Sequence, residues 1–182
     1  MCGICGYKSK KLISNDILNT MNDTMIHRGP DDHGIWENVW GEYAVGFAQR
    51  RLSILDLSEL GHQPMLSGDG RIVITYNGEI YNFLELRSVL EKKGYSFKSN
   101  CDTEVILASY QEWKTDCFCR FNGMFAIAIY DIDDNKIILA RDRMGKKPLY
   151  YYKKGHDLVF ASELKPIMKY PAFDKVIDNS AI

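Results

Sequence analysis

The sequence has no long apolar run. No stretch approaches the ~18 consecutive apolar residues of a membrane span, so no membrane partner is expected. It also lacks a secretory signal, because Met1 to Lys11 contains no apolar h-region. Charge of either sign is not in excess: Lys plus Arg is 23, Asp plus Glu is 24, and the formal net charge is −1. Wholesale nucleic-acid binding is therefore excluded, since no positive surplus exists to release counterions. Cysteine is sparse and odd in number, at Cys2, Cys5, Cys101, Cys117 and Cys119. With no signal, that count predicts reduced thiols and a cytoplasmic location, not a disulfide framework. No metal centre is expected either: Cys2 and Cys5 form a C-x-x-C, but Cys117 and Cys119 form only a C-x-C, which is poor zinc spacing. The common catalytic signatures G-x-S-x-G, H-E-x-x-H and the P-loop are missing, and His27, His33, His62 and His156 are scattered.

What is present is the composition of an ordinary soluble globular domain. The 182 residues are 46% hydrophobic and 26% charged, and 12% aromatics exclude disorder as the main state. One domain of this size buries roughly two-thirds of its unfolded surface and needs no staples. Strands are predicted over 2–8, 34–39, 42–49 and 71–77, with a short continuation over 51–55 and Gly78 interrupting the fourth run. Further strands are predicted over 123–131, 136–142, 149–153 and 157–161. Helices are predicted over 14–26, 83–93, 103–113 and 163–169. Their N-caps are read as Ser14, Asn82, Asp102 or Thr103, and Ser162, with Gly94 ending the second. A polar, Gly-rich loop is expected from Ser58 to Gly70. Runs of strands separated by few helices predict an α+β fold with mainly antiparallel sheet. Met124 to Tyr130 is apolar enough to be buried on both faces, as two packed sheets covered by helices would allow.

The chemistry is expected at the N-terminus. Cys2 is the penultimate residue, and an initiator Met before a small residue is commonly removed. The freed α-amino group, with an unperturbed pKa of about 7.7–8.0, is well matched to accepting a thiol proton. Thiol and amine share one Cα, so nucleophile and base come pre-positioned. Acyl transfer then needs an oxyanion hole. Asn77 and Gly78, at the end of a strong strand, offer a side-chain amide and a backbone N–H. A zwitterionic substrate needs a cation and an anion, and Arg51 and Asp102 supply them. Each feature alone has a plainer role: a turn, a surface ion pair, a helix cap. Together they favour a site.

The ordered segments Met1-Cys2-Gly3-Ile4, Arg28-Gly29-Pro30-Asp31, Arg51-Leu52-Ser53-Ile54-Leu55-Asp56 and Tyr76-Asn77-Gly78-Glu79-Ile80-Tyr81-Asn82 carry a resemblance. So do Asp102-Thr103-Glu104-Val105, Phe121-Asn122-Gly123-Met124-Phe125-Ala126, Ala140-Arg141-Asp142-Arg143-Met144-Gly145, Lys147-Pro148-Leu149-Tyr150-Tyr151 and Ala161-Ser162-Glu163-Leu164-Lys165. Over residues 1–182 the chain resembles the glutaminase domain of class II glutamine amidotransferases, most closely that of glutamine-dependent asparagine synthetases.

The resemblance implies an N-terminal-nucleophile hydrolase fold, a four-layer αββα sandwich of two mainly antiparallel sheets. It implies Cys2 as nucleophile and Asn77 with Gly78 as the oxyanion hole. Arg51 would hold the glutamine α-carboxylate, with Leu52, Ser53, Ile54 and Leu55 lining the site, and Glu79 and Asp102 would hold the α-ammonium. Arg28 and Asp31 would order the loop beside the nucleophile. No cofactor is implied for this half. ATP and Mg are implied only for a C-terminal synthetase domain, which would receive the ammonia and which is absent from this chain. The chain stops near Ile177-Asp178-Asn179, where such a domain would begin. Pairing of two copies as a homodimer is left open. Two alternatives stand beside this reading: an amidotransferase acting on a sugar or other acceptor, and a non-catalytic remnant that binds glutamine or a partner.

Overall fold

A computed structural model describes residues 1–10, 16–52 and 59–176. The first sheet has five strands in the order β2-β3-β1-β9-β8. These are β1 (Gly3–Ser9), β2 (Asp32–Trp40), β3 (Tyr43–Arg51), β8 (Tyr150–Lys154) and β9 (Asp157–Ala161). The second has the order β4-β5-β6-β7, from β4 (Met65–Leu66), β5 (Ile72–Ile80), β6 (Gly123–Asp131) and β7 (Lys136–Arg141). Every strand pair in both sheets is antiparallel.

The side-chain period of two sets the layers. Along β6, Phe125, Ile127 and Ile129 point to one face, where they join Leu86 and Leu90 of α2 (Phe83–Glu91) and Val105 and Ile106 of α3 (Asp102–Trp113). The alternate residues Ala126, Ala128 and Tyr130 point to the other face, against Ile4, Phe47 and Phe160 of the first sheet. Leu18 and Met21 of α1 (Asp16–Asp23) and Ile167 of α4 (Leu164–Lys169) cover the outer face of the first sheet, over Cys5, Tyr7 and Val159. Three apolar clusters thus separate four layers, and the expected αββα sandwich is found. Met124 to Tyr130 is covered on both faces as its composition requires, with Ala126 to Tyr130 nearly or fully inaccessible.

Several expectations about local structure are corrected. Gly78 does not interrupt β5, which runs on to Ile80 with Gly78 paired to Phe125. A Cβ at Gly78 would collide with the Met124 carbonyl oxygen and come within 2.7 Å of Phe125 Cα, so the glycine serves close strand approach, not a turn. Arg51 is the last residue of β3, not a residue beyond it. The loop expected over 58–70 contains the short β4 and a 3-10 turn, Glu59–Gly61.

The expected caps act elsewhere. Cys101 takes the N-cap position of α3, and Asp102 sits in its first turn with its carboxylate turned inward. Asn82 does take the N-cap position of α2, but its side chain makes no cap bond; it accepts from the Asn122 N–H and donates to the Arg120 carbonyl. Ser162 Oγ accepts the Ile4 N–H at 3.0 Å and so ties β9 to β1. Gly94 does end α2, at φ +95°, with Tyr95 N–H returning to Leu90 O. Ser14, the 51–55 continuation beyond Leu52, and Ile177 to Asn179 lie outside the described residues.

Candidate active site

Cys2 precedes β1, the central strand of the first sheet, and is fixed from three directions. The Arg28 Nε donates to the Cys2 carbonyl at 3.0 Å. The Leu52 N–H lies 3.4 Å from Cys2 Sγ, and the thiol reaches the Leu52 carbonyl at 3.7 Å. Two residues further on, Ile4 is held at both backbone groups by Ser162. These contacts oppose local fraying.

Arg28 is itself anchored. Its Nη1 donates to Glu163 Oε1 at 3.0 Å, and His27 Nε2 meets the same oxygen at 2.9 Å. Burial pushes the Glu163 carboxyl up, but its hydrogen bonds with His27 and Arg28 outweigh this and hold it below the usual carboxylate range. Arg28 Nη2 is buried without a partner among the described residues. Arg28 thus orders the Cys2 backbone. For Asp31, its N–H donates to the Arg51 carbonyl at 3.1 Å and ties the same loop to the end of β3.

Cys2 opens onto a cavity of about 70 Å³ whose wall includes Arg51, Leu52, Gly78, Glu79 and Asp102. Five of the residues proposed from sequence therefore meet Cys2 around one space. The Arg51 guanidinium lies against Gly61, where any Cβ would collide with it. Asn77 stands on β5 beside Gly78, facing the inter-sheet space. Its side chain is 1% exposed, and Nδ2 has no acceptor among the described residues. A buried donor left open is costly unless a ligand completes it. Ser53, Ile54 and Leu55 lie outside the described residues.

The acidic wall is built by β5 and α3. Asp102 is 5% exposed; its Oδ2 accepts from Tyr76 OH at 2.7 Å and from Ile80 N–H at 3.0 Å. Burial raises the Asp102 pKa, those two donors pull it back, and the nearby Glu79 charge pushes it up again; the net direction is upward. Burial and the Asp102 charge likewise keep the Tyr76 hydroxyl protonated. The cavity therefore has a thiol, a cation and a paired acidic wall, the pattern an α-amino acid amide fits.

Other lining residues were not singled out from sequence. Gln49, buried on β3, donates to the Tyr76 carbonyl at 2.8 Å. Gln63 accepts the Tyr76 N–H at 2.7 Å and donates to Thr103 Oγ1 at 3.0 Å. A polar residue at an inward position of an apolar strand was the available signal for Gln49; Gln63, in a loop, had none. Cys101 also lines the cavity, its thiol pushed up by burial. Burial likewise pushes Cys5 far up and Cys117 up to about 12, so both are structural thiols. All five cysteines are free, and no metal cluster occurs among the described residues.

Comparison with known proteins identifies the family. The family model described as "Glutamine amidotransferase domain" matches residues 1–182. The chain is 42% identical to asparagine synthetase [glutamine-hydrolyzing] 3 of Bacillus subtilis, covering 100% of this chain and 30% of that protein. It is 43% identical to putative asparagine synthetase [glutamine-hydrolyzing] 2 of Methanocaldococcus jannaschii, covering 96% of this chain and 36% of that one. The chain thus spans about a third of the length of these relatives. Among solved structures, the glutamine phosphoribosylpyrophosphate amidotransferase of B. subtilis matches with a TM-score of 0.74 at 20% identity. That match covers 92% of this chain and 43% of the other, and it bears on the fold alone.

Proposed function

The chain belongs to the glutamine amidotransferase family, and from that premise we propose that it hydrolyses L-glutamine at Cys2, as the ammonia-supplying part of an asparagine synthetase. The observation that carries this is the single cavity on which Cys2, Arg51, Glu79 and Asp102 converge. Arg51 pairs with the substrate α-carboxylate, and Glu79 and Asp102 hold its α-ammonium. These contacts place the side-chain amide at Cys2.

Met1, 57% exposed, is removed, which frees the Cys2 amine. The amine takes the thiol proton, and Sγ attacks the amide carbon. The oxyanion that forms is met by Asn77 Nδ2, a buried donor with no acceptor among the described residues, and by the Gly78 N–H. The new ammonium returns its proton to the departing nitrogen, ammonia leaves, and a γ-glutamyl thioester remains. Water then cleaves the thioester to glutamate and restores the thiol. Leu52 and, by the resemblance, Ser53, Ile54 and Leu55 are proposed to contact the glutamine.

The glutaminase step uses no cofactor. ATP and Mg serve only the proposed synthetase domain, where ammonia meets an aspartate activated for amidation. Relatives named as asparagine synthetases support this acceptor over a sugar. The free thiols fit a cytoplasmic setting, and a homodimer is compatible with the proposal.

Glutamate release from glutamine tests the reading. The unmodified chain is expected to turn over and Cys2→Ala to fall to background. Equal rates would overturn it, as would a mass spectrum showing Met1 retained on fully active protein.

A further inference from the structure

Tyr76 is held at every polar group it has. Its N–H goes to Gln63 Oε1 at 2.7 Å, its carbonyl accepts from Gln49 Nε2 at 2.8 Å, and its hydroxyl donates to Asp102 Oδ2 at 2.7 Å. All three partners line the same cavity as Tyr76 itself. Gln63 also reaches Thr103, the neighbour of Asp102, so two of the links between β5 and the first turn of α3 pass through Tyr76, beside the one from Ile80 N–H. The ring is packed in the apolar cluster under α2 and α3, and 3% of the residue is exposed. An apolar ring at this position would fill that cluster without the hydroxyl. The hydroxyl is therefore surplus to packing, and among the described residues its partner is the Asp102 carboxylate.

We propose that Tyr76 is a positioning residue that sets glutamine affinity, by holding the Asp102 carboxylate charged and aimed at the substrate α-ammonium. This rests on the glutaminase reading above and deepens it. Buried Asp102 costs free energy as an anion, and two donors on Oδ2, Tyr76 OH and Ile80 N–H, offset that cost. The charged or titratable groups around it are Tyr76 and Glu79 on β5, Cys101 ahead of α3, and Cys2 and Arg51 across the cavity. With the hydroxyl gone, Ile80 N–H alone supports the anion from β5. The carboxylate then protonates at higher pH and is free to rotate. The reacting amide, at Cys2 and Asn77, is untouched.

The test is Tyr76→Phe, assayed by glutamate release across pH. KM for glutamine is expected to rise about tenfold, the worth of one hydrogen bond to a charged group, with kcat within about twofold. The acidic limb of kcat/KM should move to higher pH, because a lost donor raises the carboxylate pKa. With 4-carbamoylbutanoate, which is glutamine without its α-amino group, variant and unmodified chain should have equal KM. A structural role would instead lower kcat for both substrates equally and leave the pH limb in place, and that result would overturn the proposal. So would an unchanged KM for glutamine. If Tyr76→Phe fails to fold, glutamine affinity of Gln63→Glu decides: that variant reaches the same carboxylate by placing a charge beside Thr103, and unchanged KM and pH limb would overturn the proposal. Failure of the glutaminase reading shows itself separately, as no glutamate release by the unmodified chain.

Discussion

At the scale of single residues, the site is a set of polar groups placed where the fold alone would not favour them. Asp102 is the clearest case. Its pKa is raised by burial, so the folded state holds its proton more firmly than the unfolded chain does. Stability from this group is therefore present below the unfolded value of about 3.9 and is lost as pH rises through the raised folded value. Asp102→Asn keeps an acceptor for Tyr76 and Ile80 but carries no charge. Its urea midpoint is expected to exceed that of the unmodified chain at pH 8, with the gain shrinking as pH falls toward about 4. The same variant should lose about thirtyfold or more in kcat/KM for glutamine, the cost of removing one partner of a buried charge pair. Equal midpoints at both pH values, or unchanged kinetics, would contradict this account. The open Asn77 amide belongs to the same class of local cost accepted for function.

At the scale of elements, close approach of strands positions the groups. β5 carries Tyr76, Asn77, Gly78 and Glu79 in a row, so one segment brings together part of the acidic wall and the proposed oxyanion donors. That row stays straight only because Gly78 lets β6 come near. Gly78→Ala must separate the two strands or displace the Met124 carbonyl. It is expected to cost about 1–3 kcal/mol in urea unfolding and to lower kcat more than it raises KM, since the shift falls on the oxyanion donors. An alanine variant with the parent's midpoint and kcat would show that β5 and β6 have slack. Sequence reasoning found this glycine and took it as a break in the strand, with a turn as its plainer role. The reason is plain: a turn glycine and a glycine facing a neighbouring carbonyl look alike until the partner strand is known. Asp102 and Ser162 were misread as caps for the same reason, because the short polar side chains that cap helices also accept bonds from distant strands.

At the scale of the whole molecule, the two sheets must keep a fixed spacing for the site to exist. Arg51 belongs to the first sheet and Cys2 immediately precedes its central strand, while Asn77, Gly78 and Glu79 belong to the second. The packing between them centres on Phe47, fully buried and edge-on to Phe160 at 5.1 Å between ring centroids. Phe47→Ala is expected to cost about 3–5 kcal/mol and, where still folded, to lose kcat although no polar group of the site is altered. Phe47→Leu should cost less than about 1.5 kcal/mol and keep most activity. Urea unfolding with glutamate release on the same samples measures both. An alanine variant as active as the parent would show that the sheet spacing does not govern the site.

The sequence by itself determined the element order, the antiparallel character and the residue types of the chemistry. Those are local or short-range matters: side-chain period, turn residues, a nucleophile beside its own amine, and motifs in fixed order. The tertiary structure alone decided which of these groups share a cavity, and that Arg28 and Glu163 hold the nucleophile's backbone. It alone drew Gln49, Gln63 and Tyr76 into the wall. Their contacts join residues 13 to 135 positions apart, and no period or motif encodes a pairing at such separations. The near-neutral charge and the absence of a long apolar run only said what the chain is not; the meeting of the two sheets at Cys2 says what it is built to hold.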